Sequence, residues 1–137
     1  MVDRRAAGVT AGRPTDGLTT SSLYRAIREE VTSLRKATVL APGRRLGGLE
    51  LGEVVIVSAD ELVDHIAEPV STDFLPDPRE APYTMLRRER AEAIKAVPLE
   101  WARYYQCYRV ETWDRDLVVT VFVHVAVGTG ALYVEWT

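Results

Sequence analysis

With 137 residues, 47% of them hydrophobic and 27% charged, the chain has the size and balance of one globular domain able to bury a core of its own. A net charge of −3 argues against broad, phosphate-driven nucleic-acid binding, and one cysteine excludes an intrachain disulfide. The longest apolar run falls far short of the roughly 20 residues a membrane-spanning helix needs, and no charged start with an apolar segment opens the chain; a soluble, cytoplasmic protein is expected.

Residues 1–18, with Arg4, Arg5, Arg13 and several Gly and Ala, lack any hydrophobic period and read as a flexible tail, with an arm onto a neighbouring subunit as one use for it. Residues 19–137 read as a single α+β domain. Thr19–Ala37 predicts an amphipathic helix, capped by Thr20, Ser21 or Ser22, with Leu23, Ile27, Val31 and Leu34 at helical spacing. Pro42-Gly43-Arg44-Arg45-Leu46-Gly47-Gly48 is basic and glycine-rich, but no Lys-Ser/Thr follows it and the next element is a strand, so an ordinary connection is favoured over a phosphate cradle. Arginine outnumbers lysine, of which there are only Lys36 and Lys95, a bias better read as genomic than as selection for anion contacts.

Leu49–Val57 predicts a strand, and Ser58-Ala-Asp-Glu61 a capping box that opens a short helix through about Ile66, with Leu62, Val63 and Ile66 inward and His65 exposed near its end. Glu68–Pro82, with four prolines, reads as a long ordered loop or lid. A helix follows over Pro82–Val97 with Leu86, Ala93, Ile94 and Val97 inward and Arg87, Arg88 and Arg90 interleaved with Glu89 and Glu92 on a solvated face.

Trp101–Thr137 predicts a three-stranded antiparallel meander. Leu117–Val127 is dense in β-branched residues, which suit a pleated surface. Side chains alternate faces, so the unbroken row Leu117, Val119, Val121, Val123, Val125, Val127 is assigned to the core. Even-length turns then match it to Ala102, Tyr104, Gln106, Tyr108, Val110 and Thr112 on one side and to Leu132, Val134 and Trp136 on the other.

The opposite face collects Arg103, Tyr105, Cys107, Arg109, Glu111, Thr120, Phe122, His124, Tyr133 and Glu135, with Trp101 and Trp113 projecting the same way. Two-residue turns at Asp114-Arg115 and Gly128-Thr129 place Tyr105, His124 and Tyr133 in one rung and Cys107, Phe122 and Glu135 in the next. Cys107, His124 and Glu135 have the residue types of a base-activated thiol, though a lone cysteine is more often a small hydrophobe. No close-spaced ligand pair supports zinc, and no cofactor is expected.

Helices first and a long meander last are similar to cystatin-like cone folds, including the nuclear-transport-factor-2-like group. The likeness is architectural, covers about the last two-thirds and rests on no motif. The strand from Leu49 precedes two helices, which departs from that group's order, so no residue role is carried over. The fold class expected is α+β: a four-stranded, mainly antiparallel sheet with two to three helices on one face.

These features favour a non-enzymatic interaction or assembly module that meets a protein partner or another copy of itself through the aromatic and arginine-rich outer face, since Trp, Tyr and Arg are enriched at interface hot spots. The alternative is a small-molecule pocket, or a cone-fold enzyme, around Tyr105, His124, Tyr133 and Glu135, with Arg109 on its lining. Neither nucleic acid nor membrane is expected as a partner. A chain that stops within a strand at Trp136-Thr137 also suggests a piece of a longer protein.

Overall fold

A computed structural model describes residues 17–36, 46–112, 117–128 and 131–137. The expected tail before Gly17, most of the basic glycine-rich loop, Trp113 with the turn at Asp114-Arg115, and Thr129-Gly130 lie outside the described residues.

The elements run α1 (Thr20–Ser33), a 3-10 turn η1 (Leu34–Lys36), β1 (Glu50–Val57), α2 (Ala59–Asp64), a 3-10 turn η2 (Pro69–Asp73), α3 (Arg88–Ala96), β2 (Ala102–Thr112), β3 (Leu117–Gly128) and β4 (Ala131–Trp136). This is an α+β chain: one four-stranded antiparallel sheet, ordered β1-β2-β3-β4, with three α-helices. It divides into two compact units, one comprising the residues up to Val54 together with Tyr105–Thr137, the other Val55–Tyr104.

In the first unit, α1 is capped by Thr19, one residue before the expected caps. The Thr19 hydroxyl accepts the Ser22 N–H at 3.1 Å while the Ser22 hydroxyl accepts the Thr19 N–H at 3.0 Å, a reciprocal cap that satisfies two of the helix's orphan donors. The face the helix buries is centred on Thr20 and Tyr24, with Leu23, Ile27 and Val31 half-buried and Leu34 exposed. Arg28 pairs with Glu53 on β1, Arg35 donates to the Leu49 carbonyl, and the charge of Arg28 reaches Tyr108, partly offsetting the rise that burial imposes on that phenol.

The β2–β3 register is the expected one: Thr112 faces Leu117, Tyr108 faces Val121 and Gln106 faces Val123. Between β3 and β4, Gly128 faces Ala131 and His124 faces Glu135, a register shifted by two from the expected one, in which His124 faced Tyr133. A shift of two leaves every side chain on its expected face.

Burial departs from expectation along the valine row. Val125 is fully buried and Val121 and Val123 are half-buried, but Leu117 (46% exposed), Val119 (46%), Val134 (39%) and Trp136 (53%) meet solvent. For Leu117 and Val119 length offers a reason, since a 14-residue helix spans about 21 Å against about 41 Å for the 12 residues of β3; Val134 and Trp136, opposite Val125 and Val123, lie on the last strand of the sheet among the described residues. On β2, Tyr104, Gln106 and Tyr108 are buried as expected, and the Tyr108 hydroxyl donates to Gln106 Oε1 at 2.6 Å.

The second unit is built around Trp101, which is 4% exposed and so belongs to a core, not to the projecting face. Its ring meets Phe74 edge-on at 5.3 Å and stacks on His65 at 5.7 Å. His65, expected in solvent, is held there by that stacking and by Glu68, 2.6 Å from Nδ1. The six residues of α2 bury only Leu62; Val63 is 62% exposed, and Ile66, beyond the helix end at Asp64, is exposed as well and not inward, because a helix shorter than two turns presents little more than one residue to a core.

The proline-rich loop contains η2, tied down by the Ser71 hydroxyl, which donates to the Ile66 and Glu68 carbonyls. The Tyr83 N–H donates to the Phe74 carbonyl, which draws residues 82–87 out of helical geometry, so α3 starts at Arg88 and not at Pro82. Ile94 is its one buried residue, while Ala93 and Val97 are exposed. Arg87 and Arg90 close on Asp73, each at 2.6 Å; the Arg87 hydrogen bond, helped by the Arg90 charge, holds that carboxyl below its ordinary value.

Candidate functional site

Two places in the first unit bear on function: the buried junction where α1 meets β3, and the open stretch beyond it.

The junction exists because the β2–β3 ladder stops at Gln106–Val123. Phe122 and Thr137 exchange both backbone hydrogen bonds (3.0 and 3.2 Å), and such bonds alternate along an antiparallel pair, so the N–H groups of Phe122 and His124 face β4 while that of Val125 faces the other way. Beyond the end of the ladder, the Tyr24 hydroxyl accepts the Val125 N–H at 2.9 Å. Tyr24 is 1% exposed, and burial, the dominant effect, pushes its phenol up to about 12. The same hydroxyl lies 3.4 Å from His124 Nδ1, long for such a bond, so the Val125 contact is the one that fixes the ring.

Around this point Tyr105 is buried at 7%, its ring 5.4 Å from His124 and 6.4 Å, edge-on, from Phe122. Glu135 is directly opposite His124, half-buried. Tyr105, Phe122 and His124 therefore gather, and Glu135 joins them opposite His124 instead of opposite Phe122 as expected. Tyr133 does not join them: it faces Ala126 and is 57% exposed. Cys107 faces Phe122, one rung from His124, where diagonal neighbours stand roughly 7–8 Å apart. Its other side meets Gly52, where an added Cβ would lie 3.7 Å from the cysteine's own. Arg103 and Arg109 are exposed, and Arg109 pairs with Glu111 two residues along its strand. Among the described residues no group of three His, Cys, Asp or Glu converges to hold a metal ion, and no helix is long and apolar enough to cross a membrane.

Tyr24 is the residue that the sequence reading passed over. It lies four residues after Thr20 and three before Ile27, so the signal was present, but Leu23 in the same turn drew the apolar stripe one position away.

The open stretch joins Leu117 and Val119, through half-buried Val121 and Val123, to Trp136 opposite Val123 and Val134 opposite Val125. It lies on the face assigned to the core. Among the described residues the only strand beside β4 is β3, and β4 is the last strand of the sheet.

The chain belongs to the AbeC-like domain family, whose model matches residues 2–137. No curated protein matches it. No solved structure does either, so the likeness to cystatin-like cones has no structural neighbour behind it.

Proposed function

We propose that this member of the AbeC-like domain family is a non-enzymatic assembly module, working in the cytoplasm, that meets another protein or another copy of itself through the β3–β4 end of its sheet. The observation that carries the reading is the solvent exposure of Leu117 and Val119 on β3 and of Val134 and Trp136 on β4, on one face of the sheet and linked by half-buried Val121 and Val123. Contiguous apolar surface of this kind marks interaction sites. Arg109 and Tyr133, exposed on the opposite face, are residue types that interfaces favour and supply a second, more polar contact. The contact surface is thus proposed to take in the valine-row face as well as the aromatic and arginine-rich face.

The test is light scattering coupled to size exclusion on the natural chain and on the double variant Val119→Lys, Trp136→Lys. An assembly in the natural chain that the lysines dissolve, with circular dichroism unchanged, supports the reading. A monomer with no co-purifying partner overturns it.

A second reading rests on the gathering of Tyr105, His124 and Glu135 beside the Tyr24 hydroxyl, which gives an aromatic wall with a few convergent polar groups, the usual make-up of a small-molecule site. A metabolite found by thermal-shift screening, whose binding His124→Ala removes without altering the assembly, selects it. A screen without a stabilising compound removes it.

A further inference from the structure

We propose that the partner is a second copy of this chain, joined edge to edge through β4 in one register, with Val134 opposite Val134 of the other copy. This rests on the assembly reading above and names its occupant.

The backbone restricts the choice first. Because Phe122 and Thr137 form a doubly hydrogen-bonded rung, alternation makes Glu135, Tyr133 and Ala131 the β4 residues bonded to β3. The N–H and C=O groups of Leu132, Val134 and Trp136 therefore point to the open edge. An antiparallel copy must pair outward residues with outward residues, so pairings of Leu132, Val134 or Trp136 with Tyr133 or Glu135 are excluded.

Side chains choose among what is left. Centring the two-fold axis on Glu135 opposes two carboxylates, and like charges directly opposed are destabilising; centring it on Tyr133 carries Trp136 past the end of the other copy's β4 and sets Glu135 against Ala131. Centring it on Val134 sets Leu132 against Trp136 of the other copy on the apolar face, and Tyr133 against Glu135 of the other copy on the polar face. Every apolar side chain then continues the neighbouring valine row, and the phenol has a carboxylate within reach. Apolar Leu132, Val134 and Trp136 alternate with Ala131, Tyr133 and Glu135, a pattern that matches itself when reversed about Val134.

Among the described residues the edge is also unguarded. Natural sheets blunt their edges with lysine, proline, bulges or inward charges. β4 reads Ala-Leu-Tyr-Val-Glu-Trp with a single charge, whereas the other edge strand, β1, carries Glu50, Gly52 and Glu53. Pairing two copies gives an isologous eight-stranded sheet and closes that edge.

The decisive variant is Val134→Pro. Its missing N–H belongs to the outward row, so the β3–β4 ladder keeps all its bonds, and proline is tolerated on an edge strand when its nitrogen faces out. Light scattering from micromolar to hundreds of micromolar protein should show a dimer in the natural chain and a monomer in Val134→Pro, with matching circular dichroism. Hydrogen exchange gives a reading that needs no substitution: the Leu132, Val134 and Trp136 amides should lose protection on dilution, while those of Tyr133 and Glu135 keep it. A natural chain that stays monomeric overturns the proposal and leaves the assembly reading to a different protein as partner. A dimer that survives Val134→Pro but dissolves in the Val119→Lys, Trp136→Lys variant, with no dilution-sensitive Val134 amide, overturns edge pairing and keeps assembly through the apolar face.

Discussion

Val125 and Val119 lie six residues apart on one face of one strand, with identical side chains, yet the first is fully buried and the second is 46% exposed. At Val125 the sheet is anchored: Tyr24 comes in from α1 and takes the backbone N–H. At Val119 no helix among the described residues gives the same cover, and the apolar side chains continue through half-buried Val123 to exposed Trp136. The contrast separates two uses of the same chemistry. Where an element arrives, valine supplies stability; where none among the described residues arrives, it leaves apolar surface open to the contact proposed above.

The anchored end should hold most of the stability. Tyr24→Ala removes a fully buried aromatic ring and should cost about 3–5 kcal/mol in chemical denaturation, enough to unfold a marginal domain. A loss under about 1 kcal/mol breaks the contrast, because deletion at an anchored site leaves a cavity or an orphaned amide. Val125→Ala should follow, with a loss of about 1–3 kcal/mol, while Val119→Ala should stay within about 0.5 kcal/mol. Equal losses for the two valines would mean that exposure does not report the anchoring.

Tyr24→Phe sharpens the anchored side by keeping the ring and removing only the acceptor of the Val125 N–H, a buried donor whose orphaning costs about 1–3 kcal/mol. Alkaline pH tests the same group. The phenol is raised from 10.0 to about 12 in the fold, so folding favours its protonated form. The resulting stability is fully present below the unfolded value and is lost as pH rises through the folded one. Denaturation midpoints of the natural chain should therefore fall more steeply between those two values than those of Tyr24→Phe. Parallel slopes would place the phenol in contact with solvent.

How much of this was legible follows from what each part depends on. Strand parity is written in the order of residues, so the match of Tyr108 to Val121 and the shared face of Tyr105, Phe122, His124 and Glu135 were readable from the charges on the rejected row. The β3–β4 turn was ambiguous because Gly128 and Gly130 flank Thr129 and serve two adjacent turns equally well. Both are even, which is why the faces survived a wrong register. Burial was less readable, since hydropathy ranks what a side chain prefers and carries nothing about which element comes to cover it; hence Val134 and Trp136 were assigned to a core. Trp101 was misplaced for the related reason that its partners, His65 and Phe74, lie more than twenty residues away in sequence.

The smallest expected effect is the most discriminating for the open end. Trp136→Ala removes the largest side chain of the apolar stretch, and in an interior it would cost about as much as Tyr24→Ala. At 53% exposed, opposite a half-buried Val123, it should change monomer stability by no more than about 1 kcal/mol. Its contribution should appear in association, because a tryptophan half in water in one copy is available to be buried by another. Denaturation of dilute protein and light scattering of concentrated protein should therefore diverge for this variant, the first hardly moving and the second shifting toward monomer. A large loss of stability in dilute protein, with association intact, would make Trp136 part of the fold and remove it from the contact surface.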